Sequence, residues 1–238
     1  MPSASTSPRV TSRERLYLAL RVVGLISVVA LATLPYAPAR ALPRQAHSAH
    51  SSLATHVNTD VRVLPLHLHV AQVDGQPVVD ASFIETRLAR ANAIYAPYRV
   101  RFAIRAQDEL PARYAVQETR SDRDALAEHT TRLAIDCFLV ASLRDVDEPE
   151  RMRRGVHWHA QSRPGRHYVI LSSIAGLNVF AHELGHFLGN PEHSQVVGNL
   201  MSYEHTDALP VLDAAQLERL ERALAGYLRR GELRLLPR

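Results

Sequence analysis

Apolar and polar positions first alternate steadily in VRVLPLHLHVAQV (61–73), where Leu64, Leu66, Leu68 and Val70 share one face and predict a β-strand. His67 and His69 fall on the opposite face and are expected to be exposed. After the turn-forming DGQP the period changes. Phe83, Ile84, Leu88, Ala91 and Ile94 recur at helical spacing, with Asp80 placed to cap the helix and Pro97 to stop it. YRVRFAI (98–104) and LAIDCFLVASL (133–143) predict two further strands, separated by a polar region with a short helix near 123–129. GVHWHA (155–160) reads as a short edge strand, and the apolar run HYVILSS (167–173) as an inner one. A helix carrying HELGH follows, then an irregular segment as far as Pro210. LDAAQLERLERALAGYLRR (212–230) closes the domain as an amphipathic helix capped by Asp213.

Ahead of the first strand the pattern is different. Arg13 and Arg15 precede the apolar run VVGLISVVALATL (22–34), and the small residues Ala39 and Ala41 follow Pro35 and Pro38. These are the parts of a secretory signal peptide over 1–41, cleaved after Ala41 or Ala39, with an uncleaved membrane anchor as the alternative. Residues 42–60 are rich in Ser, Ala and His without apolar periodicity, which predicts a flexible leader or short propeptide before a folded domain over 61–238. The expected location is therefore secreted or periplasmic, with no membrane association once the signal is removed.

Charge changes the picture little. The formal net charge is +4, from 28 Arg against 24 Asp and Glu. Five of those arginines and only one acid lie within 1–41, leaving 23 of each sign from Leu42 onward. A balanced domain offers no basic footprint for nucleic acid. The single cysteine, Cys137, cannot form an internal disulfide and is expected to share a strand face with Leu133, Ile135 and Leu139 as a buried core thiol.

The chemistry is concentrated in FAHELGHFLGNPEHSQVVGNLMSY (180–203). His182 and His186 are four residues apart, so on a helix both imidazoles project from one face and suit two corners of a tetrahedral zinc site. Glu183 is turned away by about 100° and can reach a metal-bound water without becoming a ligand. Gly189 stands where the helix must end if the chain is to swing a third ligand back, and Asn190-Pro191 keeps it from resuming. Two residues could be that ligand, Glu192 or His193. The separation from Met201, eight residues, favours His193. A further reading takes Glu218 or Glu221 on the last helix as an acidic third ligand, but leaves Gly189, His193 and NLMSY without a reason.

HELGHFLG, a nearby histidine and NLMSY together resemble the metzincin clan of zinc endopeptidases, whose pattern is HExxHxxGxxH with a downstream Met-turn. The family pattern puts its third ligand at position 192, which is glutamate here, one residue before His193. The resemblance implies an α+β, zincin-like domain: a twisted mixed β-sheet, an active-site helix, a Met-turn at Met201 and a C-terminal helix. It implies Zn2+ on His182, His186 and His193, and hydrolysis of peptide bonds by a zinc-activated water with Glu183 as general base. Tyr203, two residues after Met201, is similar to the tyrosine that stabilises the transition state in astacins and serralysins, though matrixins lack it. The implied partner is a peptide or protein substrate lying along an edge strand, GVHWHA, where His157 and His159 flank Trp158 and need no function of their own. The alternative is an exported zinc- or peptide-binding module of the same fold without turnover.

Overall fold

The computed structural model describes residues 60–204 and 206–237. The signal peptide expected over 1–41 and the leader expected over 42–60 lie outside the described residues, Asp60 excepted, as does His205. The chain forms β1 (Arg62–Val73), a short β2 (Gln76–Pro77), α1 (Ala81–Tyr95), β3 (Val100–Leu110), β4 (Val116–Gln117), α2 (Arg120–Ala125), β5 (Ile135–Val140), β6 (Ser142–Leu143), β7 (Gly155–His159), β8 (His167–Ser172), α3 (Val179–Phe187) and α4 (Ala214–Arg230). This is an α+β fold. β3, β1, β5 and β8 run parallel in that order, and β7 lies antiparallel to β8 as the free edge.

The helix ends follow from local chemistry. Asp80 caps α1 by accepting from the Phe83 amide at 2.6 Å. Asp213 and Gln216 form a reciprocal capping box on α4, and Gly231 ends it in the left-handed conformation. A Pro97-containing 3-10 turn stops α1.

Both faces of the sheet are covered. On one side Leu64, Leu66, Leu68, Ile135, Cys137, Leu139, Val169 and Leu171 pack against α1, α3 and α4. On the other, Phe138, Val140, Tyr168, Ile170 and Trp158 pack under Tyr114, Leu126 and Ala127. Inner strands buried on both faces read as continuous apolar runs, which is why β8 carried no alternation. Cys137 is free and buried, and burial pushes its thiol pKa up.

The second layer overturns one expectation. His67 and His69 are buried, not exposed, at 8% and 2% of their free surface. The His67 Nε2 pairs with the Asp108 carboxylate at 2.8 Å, and its Nδ1 lies 3.2 Å from the Thr131 hydroxyl. His69 Nε2 pairs with Asp136 at 3.0 Å, and Asp136 also accepts the Thr131 amide at 3.0 Å. The polar face of β1 is thus an interior hydrogen-bond network, possible because His67 is partnered at both ring nitrogens and His69 at Nε2. Among the described residues, no helix is long and apolar enough to cross a membrane.

Candidate metal centre

α3 is held along its length before any histidine is considered. At its start, Arg90 donates to the Asn178 side chain at 2.8 Å and Tyr95, buried on α1, donates to the Ala181 carbonyl at 3.0 Å. At its end, Tyr227 of α4 donates to the Phe187 carbonyl at 2.8 Å. The helix then closes in a Schellman pattern: the Asn190 amide bonds the Gly185 carbonyl at 3.1 Å and the Gly189 amide bonds that of His186 at 3.1 Å. Gly189 has φ +91°, and a Cβ there would lie 2.9 Å from the Ala223 Cβ, so both backbone and packing require glycine.

The structure brings three imidazoles together at this point. His182 Nε2 and His186 Nε2 are 3.1 Å apart, and His186 Nε2 and His193 Nε2 are 3.2 Å apart. Hydrogen bonding does not account for the contact between His182 and His186. His182 Nδ1 donates to the Leu200 carbonyl at 2.8 Å and His186 Nδ1 to the Asn190 carbonyl at 2.7 Å. A carbonyl only accepts, so each Nδ1 carries the ring proton and each neutral Nε2 presents a bare lone pair. Burial lowers the pKa of His186 to about 4, and partial burial, aided by the Arg153 charge, lowers that of His193, which keeps both rings neutral at pH 7. Lone pairs aimed at one another repel unless a cation lies between them. Zinc–imidazole bonds of about 2.0–2.1 Å at tetrahedral angles separate ligand nitrogens by roughly 3.3 Å, close to the observed spacing. The residues present fit a divalent metal.

Glu192 is exposed and belongs to no group spaced for a metal among the described residues. Glu218 and Glu221 are paired with Arg222 and Arg62, respectively. Glu183 is buried beside the triad, and burial raises its pKa to about 8; the His157 backbone amide, which donates to its carboxylate, and the Arg153 charge act in the opposite direction. Tyr203 is 69% exposed, stacks on His193 with ring centroids 4.4 Å apart, and has its hydroxyl 3.4 Å from His193 Nδ1.

Met201 is fully buried under α3, where a Cβ on Gly185 would come within 2.5 Å of its sulfur. The turn holding Met201 is braced by Asn199, which accepts the Met201 amide at 2.8 Å and exchanges hydrogen bonds with Gln216 of α4. This brace also fixes the Leu200 carbonyl that orients His182.

Three contributors were not read from the sequence. Arg153, ion-paired with Asp145, lies close enough to Glu183, His193 and Tyr203 for its charge to act on each. Its only sequence signal was a charged run before the edge strand. Gly155 opens β7 against Glu183: a Cβ there would lie 2.6 Å from Val179 Cγ1 and 2.9 Å from Glu183 Cγ. His167 joins His157 and His159, a grouping that only strand pairing reveals.

No protein-family model matches the chain, and no curated protein matches it. Solved structures do. Mirolysin in complex with compound 9 aligns over 74% of this chain and 100% of its own, with a TM-score of 0.51 and 11% identity. Metalloproteinase-II from Bacteroides fragilis aligns at 17% identity over 69% of this chain, with a TM-score of 0.48. The chain spans about half, 54%, of that protein. Archaemetzincin from Methanopyrus kandleri aligns at 16% identity over 68% of this chain and 96% of its own, with a TM-score of 0.46. The structures it resembles are metzincin-type metalloproteinases, and at this identity the mirolysin match shows a shared fold.

Proposed function

We propose that the chain is an exported zinc-dependent endopeptidase, with Zn2+ held by His182, His186 and His193 and Glu183 as general base. The observation that carries this reading is the pair of Nε2 lone pairs of His182 and His186 facing one another at 3.1 Å, with His193 Nε2 3.2 Å from the latter, beside a buried carboxylate. Bound there, zinc would supply Lewis acidity toward a carbonyl oxygen and lower the pKa of a water.

The protein's own groups do the rest. Glu183 accepts a proton from the attacking water at its carboxylate and passes it to the leaving nitrogen. Its raised pKa is the direction a base working near neutrality needs, and the His157 amide fixes its orientation. Tyr203 can leave His193 and donate its hydroxyl to the developing oxyanion. Arg153 steadies Tyr203 and the Glu183 carboxylate. An extended peptide adds to the free edge of β7, pairing its backbone beside the base. The turn at Met201 acts as the Met-turn, an apolar floor that keeps the ligand rings from tilting.

Cleavage of a quenched peptide library by the purified chain, abolished by a chelator and restored by zinc, tests the reading. Glu183→Gln should lower hydrolysis by roughly 10²–10⁴-fold while the metal stays bound. Full activity in that variant removes Glu183 from the mechanism, and no cleavage by the zinc-loaded parent leaves a binding module. Export is checked separately by N-terminal sequencing of secreted protein, with Leu42 expected first.

A further inference from the structure

A second set of imidazoles converges on the helix side of the sheet. His157 and His159 share one face of β7, and His167 stands opposite His159 on β8. Side chains opposite one another in an antiparallel pair are about 4.5–5.5 Å apart at Cβ, so the register forces these rings together. Their centroids are 4.6, 5.0 and 5.2 Å apart. Those of His182, His186 and His193 are 4.7, 4.9 and 5.3 Å apart. One ring nitrogen from each member of the second set lies within 4.8 Å of the others. His167 also stacks on Phe187, the residue after His186, at 4.2 Å.

Ordinary packing explains only part of this. His157 Nε2 and His167 Nδ1 lie 2.8 Å apart, which a hydrogen bond between two neutral rings satisfies. That pair has no need of His159, which is exposed yet turned onto both. The buried histidines of β1 make an instructive contrast, since carboxylates satisfy His67 and His69, and their grouping is a closed hydrogen-bond network. Among the described residues no carboxylate hydrogen-bonds to His157, His159 or His167, although the Glu232 charge acts on His167. Burial depresses the pKa of His157 and takes that of His167 to about 4, so these rings are neutral. Three imidazole nitrogens with an open, solvent-facing side suit a borderline divalent metal.

We propose that His157, His159 and His167 form a second transition-metal site, with zinc as the reference ion, that staples the free edge strand to its neighbour. The consequence reaches the first site through one residue. The backbone amide of His157 holds the Glu183 carboxylate, so fixing the His157 side chain fixes the strand that orients the base. The second site is the weaker one. Neither Nδ1 of His157 nor Nε2 of His167 has a hydrogen-bond partner among the described residues to preset its tautomer. Such outer partners are worth about 10–100-fold in metal affinity.

The test is metal stoichiometry on the full chain, stripped with chelator, dialysed against zinc and measured by elemental analysis. The parent should hold two equivalents. His159→Ala and His167→Ala should each lose one and keep the chelator-resistant one, whereas His186→Ala should lose the resistant one and keep the labile one. His159 is exposed, so its variant decides the matter if His167→Ala misfolds. As a second readout, added zinc should still raise the Tm of His186→Ala and should no longer do so in His159→Ala/His186→Ala. Unchanged zinc content in both His159→Ala and His167→Ala, or a parent that holds a single equivalent, overturns the proposal.

Discussion

Three rings supplied by a helix and the turn after it, and three supplied by two paired strands, enclose spaces of nearly the same size, yet they are prepared very differently. In the helical triad two rings spend their Nδ1 protons on the carbonyls of Leu200 and Asn190, and those carbonyls are themselves fixed by the Met201 turn and the Schellman closure. The strand triad has the spacing without that second layer; two of its rings hydrogen-bond each other instead. A buried carboxylate, Glu183, stands beside the first, and among the described residues no carboxylate hydrogen-bonds to a ring of the second. Spacing makes a metal site possible, whereas fixed tautomers and a base make it a candidate for chemistry.

The largest expected effect separates the two directly. His186→Ala should abolish hydrolysis, whereas His159→Ala should change it by no more than about tenfold, since its influence passes only through the β7 backbone. Equal losses in a peptide assay would erase the distinction. Next is Gly155→Ala, where the added methyl collides with Val179 and Glu183. A displacement of about 1 Å at the base lowers kcat by about 10²-fold with zinc retained, and the overpacking costs about 1–3 kcal/mol in denaturant unfolding. Wild-type kcat in this variant would show that the base does not depend on close approach of β7.

Smaller effects sharpen the picture. Tyr203→Phe should lower kcat about tenfold, below the ~10²–10³-fold of a preorganised oxyanion donor, because the hydroxyl is exposed and must first leave His193. An unaltered kcat reduces Tyr203 to a ring stacked on a ligand. Last, graded chelation should remove zinc from the parent in two steps separated by about 10–100-fold in chelator concentration. A single step that releases two equivalents would mean that the carbonyl partners of His182 and His186 add nothing to affinity.

Much of the fold was legible because local signals agree with it. Asp80 and Asp213 are caps in the structure as the sequence suggested, and the apolar period separates α1 and α4 from the strands between them. β7 was legible as an edge from its brevity and position. β3 runs six residues beyond the expected end at Ile104, because the ladder with β1 continues through QDEL after the apolar signal ends. His67 and His69 show the matching limit on β1. Alternation tells which residues share a face, but not what covers that face; here it is the turns at Ala112–Tyr114 and Leu126–His129.

By itself the sequence determined the helical spacing of His182, Glu183 and His186, the glycine stop after them, and the balance of charge from Leu42 onward. Those depend on the 3.6-residue period, on the steric freedom of glycine and on counting, all properties of neighbouring residues. Only the tertiary structure brought His193 rather than Glu192 beside His182 and His186, fixed the tautomers of those two rings, placed Arg153 near Glu183 and joined His167 to the histidines of β7. Each of these depends on groups far apart in the chain, and their meeting is set by which strands pair and which helices pack.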